Sequence, residues 1–370
     1  MTFKPFLGSK NTNALILKVI FLSWLLTKWM TRRIWTTGRL LPTAPICEYL
    51  DRVPAIAHVI LFGLSIAAMI WLIISSNKYI LIGLLVIEIC LCSLDQNRLT
   101  PLEYLYCFIL FIYIIYPRHS ELIPISVGLL LVSTYFYGGL CKLNDGFLQV
   151  IWSRMILRGF LKIPADVAAQ RWLYYSGYLL GITELLGGVG LLFKRTQARS
   201  ALSLIIMHLF ILVFLGPFGL KGYMTLWPWN IAMILFLYLI FLKKNEAIAI
   251  LPQAAKGWGK LIVICWIILP AFSFWGYWDN NLSSKLWSGN VPRMIICIRD
   301  TSKCKPLQRF CSKKDIANIC HGQAKIELLY WAGSETGVSA YSQMRTYHIM
   351  QKKIEAQYTS AGLTFVYLDR

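Results

Sequence analysis

Long apolar runs separated by short polar stretches dominate the sequence as far as Trp278. A helix needs about 20 apolar residues to cross the hydrocarbon core of a bilayer, and several runs approach that length. The pattern predicts nine spans: Ala14–Met30, Ala55–Ser75, Tyr79–Leu94, Pro101–Tyr116, Ile123–Cys141, Leu173–Phe193, Ala201–Gly216, Trp229–Leu242 and Leu261–Tyr277. Some of these runs are short, so a count of eight is the alternative.

The stretch from Asn144 to Arg171 has a different pattern. Apolar residues recur at helical spacing, with Arg154, Arg158 and Lys162 between them. This pattern is typical of a helix that lies along the bilayer surface.

After Trp278 the apolar runs give way to short alternating patterns, which predict a small domain outside the membrane. Strands are expected at Arg293–Arg299, Ala324–Trp331 and Leu363–Leu368, and helices at Pro306–Cys320 and Tyr341–Tyr358. The predicted fold is therefore an all-α polytopic membrane bundle, residues 1–278, with a small C-terminal extramembrane α/β domain of βαβαβ order, residues 279–370, for which α+β is the alternative.

Composition supports the membrane interpretation. The 370 residues are 57% hydrophobic and 15% charged, whereas soluble domains carry about 25% charged residues. The mean hydropathy is +0.58, which excludes disordered, fibrous and ordinary soluble classes, so the lipid bilayer is the first partner. The net charge of +20 is spread over the loops rather than gathered on one face, which argues against nucleic acid as a partner.

Charge alone leaves the orientation open, because a nine-span arrangement has equal numbers of basic loop residues on the two sides. With a cytoplasmic N-terminus, the tail would lie on the far side of the membrane. Two basic clusters then fall on the cytoplasmic side, as the positive-inside rule favours: Lys194, Arg195 and Arg199, and Lys243, Lys244, Lys256 and Lys260.

Four of the ten cysteines lie in the polar tail: Cys297, Cys304, Cys311 and Cys320. A disulfide is expected among them if the tail faces an oxidising compartment. Zinc, with His321 nearby, is the rival interpretation, but no C-x-x-C pair is present, so no metal site is predicted.

Ionisable groups within the apolar runs are the default functional candidates, because a charge at membrane depth is costly unless it is paired or reaches a cavity. They are Glu88, Glu103, Lys142, Glu184 and His208. Glu103 lies in a first helical turn, where the helix dipole stabilises an anion, so we assign it a structural role. Glu184, in a glycine-rich helix, is either functional or a packing residue, and His208 is either a ligand or a hydrogen-bonded interior residue.

Lys142 ends the fifth span in the run Tyr137-Gly138-Gly139-Leu140-Cys141-Lys142-Leu143-Asn144. A lysine at this position either extends to the lipid headgroups or is held in an apolar pocket. In the second case desolvation favours the neutral amine, which then acts as a base. Gly138 and Gly139 would leave room for a flat ligand against the backbone.

The run from Tyr137 to Asn144 resembles the lysine motif of vitamin K-dependent gamma-carboxylases and their bacterial relatives, the HTTM (horizontally transferred transmembrane) proteins. Further parts of residues 15–280 are similar to that family in order and spacing: Leu94-Asp95-Gln96-Asn97-Arg98, the Glu184 helix, His208 with Gly216-Pro217-Phe218, and Trp227-Pro228-Trp229-Asn230. In the tail, Trp331-Ala332-Gly333-Ser334-Glu335 and Tyr341-Ser342-Gln343-Met344-Arg345 resemble one bacterial branch of it. The Glu184 helix also resembles the small DoxX-type membrane proteins, which are linked with quinones.

The resemblance implies a bacterial inner-membrane protein with a carboxylase-like reaction in which Lys142 is the base. Glu184 and His208 are the further catalytic candidates, as ionisable groups at membrane depth. A reduced quinone is the implied cofactor, next to Gly138 and Gly139. Cys141 stands where the carboxylase motif has a second lysine. The tail is also smaller than the carboxylase region that holds protein substrates. The resemblance therefore supports the fold more strongly than it supports the reaction.

Two other functions stay open. The first is a non-catalytic maturation, immunity or assembly factor that presents its tail to a secreted peptide or protein. The second is a transporter using Glu88, Glu184 and His208, for which no inverted repeat is visible.

Overall fold

The computed structural model describes residues 8–75, 77–220, 224–243, 249–250, 257–285, 287–312 and 318–368, most of them helical. Two members of the predicted basic clusters, Lys244 and Lys256, lie outside the described residues. The chain divides into two compact units. Some helices have their first residues in one unit and their last residues in the other. Unit 1 contains residues up to 27, 67–85 and 101–290, and unit 2 contains residues 28–66, 86–100 and 291–370. The predicted domain boundary between residues 278 and 279 stays a prediction.

All nine predicted spans coincide with helical segments. The helices up to residue 263 are α1 Gly8–Met30, α2 Arg32–Trp35, α3 Ala55–Ile74, α4 Lys78–Leu94, α5 Pro101–Ile115, α6 Leu122–Leu140, α7 Ala165–Ala168, α8 Arg171–Tyr175, α9 Tyr178–Gly190, α10 Gln197–Leu215, α11 Trp227–Leu237 and α12 Gly259–Val263. Helix α11 continues as a π-helix over Tyr238–Leu242, and α12 continues as a π-helix over Ile264–Ile268 and a 3-10 helix over Leu269–Trp275.

The predicted span Leu173–Phe193 is divided between α8 and α9. The break lies at Gly177, where an added Cβ would be 2.5 Å from the Trp152 ring. The indole Nε1 of Trp152 donates a hydrogen bond to the Leu173 carbonyl at 2.8 Å, so the ring holds the chain at this turn. Trp152 belongs to a π-helix over Phe147–Phe160, which confirms the amphipathic helix predicted here.

Four described helical stretches are long and apolar enough to cross a membrane: Asn11–Met30, Ala55–Ile74, Leu122–Leu140 and Gln197–Leu215. They differ in environment, since 83% of the α6 window is buried against 22% of the α3 window. Helix α6 is therefore the centre of unit 1, whereas α3 presents apolar side chains outward. The number of further crossings stays a prediction.

The C-terminal part of unit 2 contains a three-stranded antiparallel sheet of order β2-β1-β3. The strands are β1 Arg293–Ile298, β2 Ala324–Glu327 and β3 Leu363–Leu368. Ile296 lies opposite Ile326 on one neighbour and Phe365 on the other. The sheet confirms that strands begin at Arg293, Ala324 and Leu363, as predicted.

Two element predictions for the tail are wrong. The second strand ends at Glu327, and α13, Leu328–Thr336, follows it at once. The predicted helix at Pro306–Cys320 is instead a 3-10 helix over Thr301–Phe310, kinked at Cys304. It ends at Phe310 because Cys311 is extended and the Ser312 amide donates a hydrogen bond to the Lys325 carbonyl at 2.7 Å; residues 313–317 lie outside the described part. The last helix, α14, spans Met344–Gln357.

The two faces of the sheet bury different cores. Met294, Ile296 and Ile298 pack with Trp331 and other buried residues on one face. On the opposite face Cys297 forms a disulfide with Cys320. The alternation of β1 side chains therefore places one apolar core and one covalent link on opposite sides of a single strand.

Candidate functional site

Lys142 and Glu184, which are 42 residues apart, form an ion pair in unit 1. Lys142 follows the last turn of α6, and its Nζ also donates a hydrogen bond to the Gly138 carbonyl at 3.1 Å. Glu184 lies in the middle of α9. The side chains are 19% and 10% exposed, so the pair is largely buried but still reachable from outside the bundle.

Glycines bring α6 and α9 into backbone contact at this pair. A Cβ added to Gly139 would lie 2.4 Å from the Leu185 nitrogen and 2.6 Å from the Gly181 oxygen. A Cβ on Gly138 would lie 2.6 Å from Oε1 of Glu184. The space beside Gly138 and Gly139, where we expected a ligand, is filled by α9 and the Glu184 carboxylate.

His208 lies in a separate buried network of unit 1. Its Nε2 is 2.8 Å from the Tyr135 hydroxyl, and its Nδ1 is 2.8 Å from Oδ1 of Asn230. The Asn230 amide then donates to the Leu226 carbonyl at 2.8 Å. Within the described residues both ring nitrogens are therefore engaged, and no hydrogen bond joins His208 to the Lys142–Glu184 pair.

Glu88 has a partner that sequence reasoning missed. It forms an ion pair with Lys28 at 2.8 Å and accepts a hydrogen bond from Ser65, and both charged side chains are 0% exposed. Lys28 Nζ also lies 3.1 Å from the centre of the Trp35 ring. Lys28 stands near the end of the first span, where a lysine normally reaches the headgroups, so position alone concealed this pair. Glu103, as expected, has a structural contact, accepting from Trp24 Nε1 at 2.8 Å.

The motif Leu94–Arg98 is a buried polar hub of unit 2. Asp95 forms an ion pair with Arg39 and accepts from the Ala44 amide at 3.0 Å. Arg98 donates to the carbonyls of Ile34 at 3.0 Å and Trp35 at 3.1 Å. These bonds hold the chain that follows α1, so the motif has a structural role.

The charges around Asp95 define a pH dependence. Burial acts to raise the pKa of this carboxyl, but Arg39 and Arg98 outweigh it and hold the pKa below its usual value. The carboxylate's contribution to stability is therefore complete above the unfolded pKa of about 4 and is lost as the pH falls towards the folded pKa. We expect Asp95→Asn to lower the free energy of unfolding by about 2 kcal/mol at pH 7. The difference from wild type should shrink only below about pH 4, as measured by thermal unfolding in detergent at pH 3 to 8; a difference that does not change with pH would contradict the assignment.

The two tail motifs also make structural contacts in unit 2. Glu335 accepts from the amides of Leu40 at 2.8 Å and Leu41 at 2.9 Å, and from Trp331 Nε1 at 2.9 Å. The second motif bonds to the hub: the Tyr341 amide donates to Asn97, and the Arg345 Nε donates to Gln96. Both motifs therefore tie the tail to loops that precede α3 and α5.

The tail cysteines do not form a metal site in the described part of the chain, where no group of three potential ligands is found. Cys297 and Cys320 form the disulfide. Cys304 and Cys311 are thiols whose pKa values are raised by burial. Neither is thus a reactive thiolate at neutral pH.

Comparisons of the chain with protein-family models, with curated proteins and with solved structures found no match.

Proposed function

We propose that this protein is an integral membrane enzyme, related to the HTTM and vitamin K-dependent carboxylases, in which Lys142 and Glu184 exchange a proton with a membrane-borne substrate. The observation that carries the proposal is the partial exposure of this ion pair at the α6–α9 contact. The resemblance of residues 137–144 to the carboxylase lysine motif is the second support.

A second buried lysine–glutamate pair in the chain serves as a comparison. The Lys28–Glu88 pair has the same two side chains but is 0% exposed, and it therefore cannot receive a substrate without unfolding. The Lys142–Glu184 pair keeps 19% and 10% of its side-chain surface accessible. Of these two lysine–glutamate pairs, only the second is both largely buried and partly accessible from outside the protein.

The chemistry open to the pair is proton transfer. Lys142 and Glu184 are in direct contact, so a proton passes from the lysine to the glutamate without an intervening water. The resulting neutral amine accepts a proton from a weakly acidic group, such as a quinol hydroxyl. Glu184 thus acts as the proton store for the Lys142 base.

The disulfide supports a location for the tail. Disulfides persist in oxidising compartments such as the bacterial periplasm, and Cys297–Cys320 lies in the tail. We infer a bacterial inner-membrane protein with an extracytoplasmic tail, and a reduced quinone or a peptide at the membrane surface as the substrate.

The test is consumption of a reduced quinone in aerated buffer by the purified full chain, with oxygen as the electron acceptor. We expect Lys142→Met to lower the rate by a factor of about 10² to 10⁴, the usual contribution of a positioned base. Glu184→Gln should lower the rate as well. Lys194→Met is the matched control, because it removes the same charge from an exposed lysine of unit 1.

Thermal unfolding of each variant separates loss of chemistry from loss of fold. Folded wild-type protein that consumes no reduced quinone, or a folded Lys142→Met variant with full activity, would overturn the proposal. That result would favour the non-catalytic factor that presents its tail to a secreted partner.

A further inference from the structure

An open groove of about 410 Å³ lies in unit 2, and none of its lining residues is proposed for catalysis. It is lined by Arg33, Thr37, Gly38, Arg39, Leu40, Arg309 and Glu335. Its walls are the chain that follows α2, the 3-10 helix Thr301–Phe310 and the end of α13. The groove is therefore built from three segments far apart in sequence, each of which contributes a charged group.

Two of these charged groups, Arg39 and Glu335, are buried and already have hydrogen-bond partners in the protein. Arg39 is 1% exposed and paired with Asp95. Glu335 is 3% exposed, and its two oxygens accept hydrogen bonds from the amides of Leu40 and Leu41. Arg39 and Glu335 therefore have partners within the protein and do not need a ligand.

The other two arginines remain available at the mouth. Arg309 is 58% exposed, and its Nη2 lies 3.4 Å from Oε1 of Glu335. Arg33 is also exposed, and its Nη1 lies 3.5 Å from the Glu335 backbone oxygen. Both guanidinium groups therefore meet around one residue. Each uses one of its five N–H donors on it within the described chain. Arg33 and Arg309 against Glu335 leave one positive charge, which complements a singly charged anion.

The mouth lies close in sequence to the end of a helix that is long and apolar enough to cross a membrane. Arg33 comes three residues after Met30, the end of the apolar helix α1. Trp29, one residue before that end, is 69% exposed, and the Arg32 guanidinium lies 5.6 Å from its ring centre. An exposed tryptophan beside arginines is typical of the membrane–water interface.

We propose that this groove binds a phosphodiester, presented by an anionic phospholipid headgroup, through charge-assisted hydrogen bonds from Arg33 and Arg309. A guanidinium matches phosphate oxygens with paired N–H donors. The open space beside Gly38, where an added Cβ would meet nothing within 4 Å, leaves room for the headgroup.

The test measures binding of short-chain phosphatidylglycerol to the full chain in detergent by native mass spectrometry, with phosphatidylcholine and inorganic phosphate as further probes. We expect Arg33→Gln/Arg309→Gln to weaken phosphatidylglycerol binding about tenfold or more, as the loss of two charge-assisted contacts predicts. The matched control is Arg52→Gln/Arg299→Gln, which removes the same charge from exposed arginines of unit 2 that do not line the groove.

The outcomes separate the sources of the phosphate. Loss of phosphatidylglycerol binding in the groove variant alone supports a lipid site, and the same dependence seen with inorganic phosphate alone supports a site for a soluble phosphate. Equal loss in the groove and control variants, or no loss in either, overturns the proposal. If the double variant unfolds, Arg309→Gln repeats the test, because that side chain is largely exposed.

Discussion

Replacing Glu88 by alanine should lower the free energy of unfolding by about 3 to 5 kcal/mol, the usual cost of removing one partner of a buried ion pair. Lys28 and Glu88 are both 0% exposed and 2.8 Å apart. Without the carboxylate, the buried ammonium group loses its ion-pair partner, which costs free energy. The measurement is unfolding of the detergent-solubilised protein by heat or by increasing SDS.

A second variant distinguishes the pair from the site. Lys28→Met/Glu88→Leu removes both charges and keeps similar volumes, so its stability should return to within about 1 to 2 kcal/mol of wild type. Glu121→Ala removes an exposed carboxylate and is expected to change stability by less than about 0.5 kcal/mol. A Glu88→Ala protein as stable as Glu121→Ala would show that the pair contributes nothing.

Gly139→Ala should lower the free energy of unfolding by about 3 kcal/mol, at the upper end of ordinary overpacking. The new methyl group would lie 2.4 Å from the Leu185 nitrogen and 2.6 Å from the Gly181 oxygen. Both are backbone atoms, so no side chain can rotate away and the two helices must separate. Since that contact also positions Lys142 beside Glu184, quinol consumption should fall together with stability.

The control for this substitution is Gly83→Ala in α4. An added Cβ at Gly83 meets nothing within 4 Å, so the higher helix propensity of alanine should leave stability unchanged or raise it by up to about 1 kcal/mol. Both variants are compared by thermal unfolding in the same detergent. Equal stability of the two variants would mean that α6 and α9 are not in backbone contact.

Helix positions followed from local pattern because an apolar run long enough to span a membrane has few other stable conformations. The break at Gly177 did not follow, because it depends on the Trp152 ring, which belongs to another helix. The tail strands were likewise located by their alternation. The end of the second strand at Glu327 was missed, since its apolar continuation, Leu328–Trp331, suits a helix equally well.

The sequence identified the candidate site residues, but it did not identify their partners. Burial cost alone marked Lys142, Glu184, Glu88 and His208 as residues that need partners, because charge and polarity at membrane depth are expensive wherever the chain goes. Which partners they find depends on packing between helices. Two such outcomes, the pairing of Lys142 with Glu184 and of Glu88 with Lys28, join residues 42 and 60 positions apart.

Amino-acid order thus established a mostly helical, strongly apolar chain with a small polar tail, since hydrophobicity and periodicity are properties of neighbouring residues. Only the tertiary contacts showed which of the sequence motifs have a structural role. The Asp95–Arg98 hub and Glu335 were absorbed into structural hydrogen bonds, whereas Arg33 and Arg309 were left exposed at an open groove. The reason is physical: a side chain's partners and its access to solvent depend on distances in space, which spacing along the chain does not contain.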